Sequence, residues 1–354
     1  MFLRFFLYVA LFTYSLQVLQ AQIQSAEVYW VGHSLVNSRD WDDPAARNMP
    51  DVLYDFSVFS GKNFDDYQHV TPGAPIGWNW GATPQAWNDV NSLFPPLIDT
   101  QHPRYGTFDV MVVTERVDIR NLYDDGDYAS AFFARKFYAA AKNANPDTRL
   151  FMYENWPSYN GLPPYYPPPT QYDYVQFIRD SHPDWLRIMD EAADPDVLMA
   201  TSYYPTVLAN YTYLGTGQDP GNSDDKFIIN IIPVGTIFAN ILERIEADYP
   251  SDDWSFPQAV ANGSLSALDF FENPLRYWPN DLSTLVYPNE SHDDIHPTPL
   301  LIYLNALVHY AVIYRENPEN LPVYFNIPEP IANIFKEEVL RAGAIKIHVL
   351  CYNK

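Results

Sequence analysis

"VYWVGHSLVN", residues 28–37, is an apolar run that stops at Gly32 and is followed at once by a hydroxyl, Ser34. Val28 to Val31 predicts a short buried strand. A Gly-led turn after it would leave Ser34 at the carboxyl end of that strand, the edge at which α/β sheets bind ligands. Most serines in such a place are turn or cap residues. Ser34 acts as a nucleophile only if the rest of the chain brings a base to the same edge, because a serine hydroxyl is weak at neutral pH.

The chain beyond Ser34 repeats the strand signal. "FDVMVVT" (108–114) has the continuous β-branched character of a buried parallel strand, and "RLFMY" (149–153) and "FIINII" (227–232) read as two further strands. Between them, helical spacing of apolar residues predicts helices over 128–144, over 173–193 with Pro183 interrupting, over 236–247 and over 297–314. Alternating strands and helices point to an α/β fold with a mostly parallel sheet covered on both faces. Two long irregular stretches, 71–87 and 159–172, are rich in Pro, Trp and Tyr. Loops of that length in a compact domain are functional or disordered, and their aromatic content argues against disorder.

Composition narrows the partners. The chain has 354 residues, 44 acidic against 21 basic, and a net charge of −23. So acidic a chain argues against nucleic acid and anionic membrane surfaces as partners, which require basic patches. Acidity also serves plain solubility. Aromatic residues make up 16%, enough to fill a core and to line a groove that stacks on sugar faces. The one cysteine, Cys351, is four residues from the end, so no intrachain disulfide, Cys-based metal ribbon or CxxC site exists. Arg4, the apolar run Phe5 to Leu19, and Ala21 have the layout of a secretory signal peptide. The expected organisation is therefore a signal peptide over 1–21, a catalytic domain over 22–320 and an extension over 321–354, packed on the domain or partly disordered. The expected location is secreted or periplasmic, with no membrane span once the signal is removed.

The base is supplied by "SHDDIHPTP", 291–299, just before the last long helix. Asp293 and His296 are three apart, which in a helical turn puts them on one face. The carboxylate can hold one imidazole nitrogen and leave the other to take a proton from serine. The plain alternative is a helix cap and a surface histidine. His292, Asp293, Asp294 and His296 could also bind a metal, and Asp294 to His296 resembles a fragment of the metallophosphoesterase pattern. The further ligand series of those enzymes is absent, so no metal or cofactor is expected.

"GHSL" (32–35) resembles the GDSL block of the SGNH, or GDSL-type, serine hydrolases, and "DDIHPT" (293–298) resembles their terminal D-x-x-H block. Both lie where that family has them, and the resemblance spans roughly residues 27–315. It implies a three-layer α/β/α, flavodoxin-like sandwich with a central parallel sheet, and ester hydrolysis without metal. It makes Ser34 the nucleophile, His296 the base and Asp293 its orienter. It assigns the oxyanion hole to the N–H of Ser34 and to Gly73 of "TPGAP", with Gly77 as the alternative. Two departures stand out. His33 replaces the GDSL aspartate, and the G-x-N-D block is missing. Glu115 lies where its asparagine would be, and an ionised glutamate cannot donate to an oxyanion. Since one lost donor costs roughly 3 to 4 kcal/mol of transition-state stabilisation, a substitute is required, Asn155 or Asn79 or a backbone N–H.

Trp78, Trp80, Trp156 and Tyr159, together with Glu115, are the expected substrate-binding residues, with the aromatic rings framing a cleft. The expected substrate is an acylated carbohydrate that loses a small acyl group such as acetyl. A lipid or small-ester hydrolase is the competing reading, and an impaired SGNH-like glycan-binding protein is a third.

Overall fold

The computed structural model describes residues 23–37, 47–80, 95–116, 119, 129–157, 171–210, 224–246 and 295–342. Asp293, Tyr159, the expected signal peptide and the end of the C-terminal extension lie outside the described residues. Among those described, five strands form one sheet: β1 (Ser25–Gly32), β2 (Asn63–Val70), β3 (Val110–Val113), β4 (Arg149–Glu154) and β5 (Ile229–Pro233). Their order is β2-β1-β3-β4-β5, and every neighbouring pair is parallel. This is the flavodoxin-like order. The longer helices are α1 (Met49–Phe59), α2 (Ser130–Ala144), α3 (Gln171–Ala193), α4 (Val234–Glu246), α5 (Pro299–Tyr314) and α6 (Glu329–Arg341).

Side-chain alternation along the strands divides the core in two. Val28 and Trp30 of β1, Val110 and Val112 of β3, and Phe151 and Tyr153 of β4 face one layer, built by α1, α4, α5 and α6. Tyr29, Val31, Met111, Val113, Leu150 and Met152 face the other, built around α2. The expected three-layer α/β/α sandwich is therefore the observed one. α3 serves both layers: Tyr174 and Ile178 belong to the first and Trp185 and Ile188 to the second. It runs unbroken through Pro183, where an interruption was expected. Proline removes a backbone donor and crowds the carbonyl four residues earlier, and the buried side chains on either side of it, Tyr174 and Ile178 before and Trp185 and Ile188 after, offset that cost.

α5 is apolar all round because it is enclosed all round, with Leu301 to Tyr314 buried. α1 and α6 cover it. Lys336 of α6 donates to the carbonyl of Leu321 (2.6 Å), and Arg244 of α4 pairs with Glu338 of α6 (2.7 Å). Residues 329–341 are thus part of the domain's packing, with Ile331 and Phe335 in its core.

Candidate active site

The chain leaves β1 to one side to form β2 and returns to the other side to form β3. The β1–β3 boundary is therefore the topological switch point, where open α/β sheets bind ligands. Ser34 follows β1 there, in a turn closed by the Val36 N–H donating to the His33 carbonyl (3.0 Å). Gly32 is required at this point, because a Cβ would lie 2.6 Å from Thr114 Cγ2 at the end of β3. His33 is fully enclosed, whereas Ser34 keeps 8% of its surface exposed.

His33 supports the turn as a neutral ring. Its Nε2 lies 2.9 Å from the Glu115 carbonyl oxygen, which can only accept, so Nε2 carries the proton. Nδ1 then accepts from the Leu35 N–H (3.5 Å). Burial pushes the His33 pKa down to about 4, against the Glu115 hydrogen bond, and positive charge at His296 and Arg116 lowers it further. His296 is accordingly near enough to His33 to act on it through space.

A second tether brings the His296 segment to this rim. Trp156, two residues past β4, donates its indole N–H to the Ile295 carbonyl (2.9 Å). His296 itself is half-buried, directly ahead of Pro297 and the Thr298 cap of α5. Ser34 and His296 thus arrive from opposite ends of the sequence on one edge of the sheet.

The Gly73 loop is fixed to the same turn. The Gly32 carbonyl accepts from Thr71 N–H (3.2 Å) and from Asn79 Nδ2 (2.8 Å), so bonds to one oxygen bracket the loop. Gly73 is exposed, with φ at +67° and open space where a Cβ would be. Glycine adopts that left-handed backbone without steric cost. Gly77, the alternative, is buried in the short Ile76–Asn79 helix.

Glu115 and Asn155 join these parts. The Asn155 amide donates to the Glu115 carbonyl (2.6 Å) and to Thr114 Oγ1 (3.1 Å), and Thr114 Oγ1 donates to the Tyr153 carbonyl (2.9 Å). Both hydrogens of the Asn155 amide are therefore engaged within the protein, and its observed role is to hold the ends of β3 and β4 together. Asn79 is fully buried and donates one amide hydrogen to the Gly32 carbonyl. The Glu115 carboxylate, fully buried, accepts from Ile76 N–H (3.2 Å to Oε1, 3.4 Å to Oε2) and Arg116 N–H (2.6 Å). Burial pushes its pKa up to about 7, against hydrogen bonds from the Ser130 hydroxyl and from these two N–H groups. A carboxyl turned inward in this way lies behind the loop and presents no face to a substrate.

The expected aromatic cleft is reduced. Trp156 is 0% exposed and Trp80 is 4% exposed. Trp80 packs edge-on against Phe137 of α2 (4.8 Å, 89°), and Trp156 packs against Phe238 of α4. Rings enclosed in the core offer no face to a sugar. Trp78 is half-exposed. Among the described residues no three His, Cys, Asp or Glu side chains are grouped as metal ligands.

No family model matches the chain, and no curated protein matches it. The solved structures to which it is similar include a protein from Slackia heliotrinireducens whose description proposes an SGNH hydrolase. That protein is 15% identical, with a TM-score of 0.36 over 82% of this chain and 99% of the other. They also include a DUF4886 family protein from Bacteroides uniformis, 11% identical, with a TM-score of 0.46 over 90% and 94% of the two chains.

Proposed function

We propose that this protein is a serine ester hydrolase in which Ser34 is the nucleophile and His296 the base. The observation that carries the reading is the pair of tethers at one rim. His33 bonds the Glu115 carbonyl and Trp156 bonds the Ile295 carbonyl, so the Ser34 turn and the His296 segment are fastened to the ends of adjacent strands. In this reading His296 takes the Ser34 proton as Oγ attacks the ester carbonyl, and returns it to the leaving alcohol. The resulting acyl-serine is then hydrolysed by water activated in the same way. The oxyanion is met by backbone N–H groups, those of Ser34 and Gly73, since the amides of Asn155 and Asn79 are engaged within the protein. Asp293 orients His296.

The substrate we propose is a small acyl ester of a neutral, polar alcohol such as a carbohydrate. The net charge of −23 disfavours anionic substrates, and Trp78 offers a half-exposed ring beside the Gly73 loop. The apolar run Phe5 to Leu19 behind Arg4 supports export of the chain.

Hydrolysis of p-nitrophenyl acetate by the wild type, Ser34→Ala and His296→Ala tests the reaction. The expected result is loss of at least about 10³-fold in kcat for both variants. Equal rates from wild type and Ser34→Ala would reject the hydrolase.

A further inference from the structure

We propose that Glu115 is a positioning residue for the Gly73 loop. Its carboxylate grips the Ile76 N–H and its main-chain oxygen grips the Ser34 turn, so one residue fixes the spacing between nucleophile and oxyanion donor. This rests on the reading that Gly73 serves the oxyanion.

The residue reaches three separate parts of the rim. Its carboxylate reaches across to the loop after β2, accepting from Ile76 N–H. Its carbonyl accepts from His33 Nε2 in the turn after β1, and from Asn155 Nδ2 after β4. An asparagine at this place could donate toward a substrate. A glutamate, being an acceptor when ionised, instead completes backbone N–H groups that would otherwise be buried without partners. The role is therefore exchanged: the side chain that could have been the donor holds the loop that carries the donor.

The grip depends on charge. An ionised acceptor holds an N–H about twice as strongly as a neutral one. Burial raises the Glu115 pKa to about 7, so the grip is full above that pH and weakens below it. The Ser130 hydroxyl of α2 also bonds the carboxylate, and among the described residues the charged or titratable groups around it are few. Arg116 is next to it in the chain, His33 faces its carbonyl from the β1 turn, and His296 lies near His33. Toward the Ile76–Asn79 helix it meets a backbone N–H. His33 is held neutral throughout this range, so its ring adds nothing to the pH dependence of the grip.

The test uses Glu115→Gln in the full chain and two readouts. The first is hydrogen exchange in the peptide that carries Ile76, which needs no turnover. Glu115→Gln should exchange there about 10-fold faster than wild type, while α5 keeps its protection and so reports an intact fold. In the wild type itself, where no question of folding arises, protection at Ile76, corrected for intrinsic rates, should fall between pH 8 and 6. Unchanged protection in the variant, or a flat profile in the wild type, overturns the proposal. The second readout is the acid limb of kcat/KM. It should be steeper than one proton in the wild type and fall to one proton in Glu115→Gln, whose kcat drops while KM holds. Identical limbs and an undiminished kcat would overturn it. Ser34→Ala, run alongside, separates the two failures: if Ser34→Ala turns over like wild type the hydrolase reading is lost, and the Ile76 exchange still decides Glu115.

Discussion

Replacing Gly32 by alanine places a methyl group 2.6 Å from Thr114 Cγ2 and 3.1 Å from Val36 Cγ2. Val36 need yield by only a few tenths of an ångström, but Thr114 does not give way freely. Thr114 Oγ1 donates to the Tyr153 carbonyl and accepts from Asn155, so turning the threonine to move its methyl breaks both bonds. Breaking two buried bonds would cost about 2 kcal/mol, and the alternative, forcing β1 away from β3, lies in the overpacking range of about 1–3 kcal/mol. Gly32→Ala should therefore destabilise the fold by about 2 kcal/mol. Thr114→Ser removes the offending methyl and keeps the hydroxyl, at a cost of about 1 kcal/mol for one lost methyl. The double variant should then be about as stable as Thr114→Ser alone, a coupling of about 2 kcal/mol between the sites. Urea unfolding of the four proteins, read as midpoints at equal slope, measures this. A loss under about 0.5 kcal/mol in Gly32→Ala, or a double variant equal to the sum of the singles, would refute the claimed contact between the nucleophile turn and the end of β3.

Two further outcomes follow from single atoms. Trp156→Phe keeps a ring in the core and deletes the N–H that holds the Ile295 carbonyl. It should lower kcat about 3- to 10-fold, matching one hydrogen bond, with a fall in thermal midpoint from the smaller buried ring, and an unaltered kcat would mean that the tether does not place His296. His309, buried in α5, has its pKa lowered from 6.5 to about 3 by burial. Its stabilising contribution is whole above the unfolded value and is lost as pH falls from there toward the folded one. Between those limits each such histidine adds about 1.4 kcal/mol of stability per pH unit. His309→Phe should remove one histidine's share of the acid sensitivity near pH 5, as read from unfolding at several pH values, and an unchanged slope would show that the wild-type ring already accepts a proton there.

Much of this fold is legible in the sequence because burial writes it there. β1, β3 and β4 lie inside the sheet, are buried over most of their length and read as apolar runs, and β5, at the second edge, is apolar but for Asn230 and its closing proline. β2, "NFDDYQHV", is at the sheet's edge and mixes charge with aromatics, so its residues carry no such run. The same applies to α1, whose start depends on the reciprocal bonds of Asn48 and Asp51. Ser34 and His296 are legible because each belongs to a short contiguous motif. What Glu115 and Asn155 do is set by partners 39 to 40 residues away, Ile76 and Glu115 respectively, and residue type alone does not say whether an amide faces a substrate or a carbonyl. Tryptophan is ambiguous in the same way. Trp156 and Trp80 are the same residue type as Trp78, and only the packing of α2 and α4 distinguishes enclosed rings from a half-exposed one.

The central claim is that the Ser34 hydroxyl is activated by the His296 imidazole. Labelling with a fluorophosphonate, followed by peptide mass spectrometry, addresses that hydroxyl directly, because the reagent captures serines made nucleophilic by a base. The account predicts a single stoichiometric adduct on Ser34, abolished in His296→Ala while that variant remains folded. An unlabelled Ser34, or an adduct that forms equally well without His296, would contradict it.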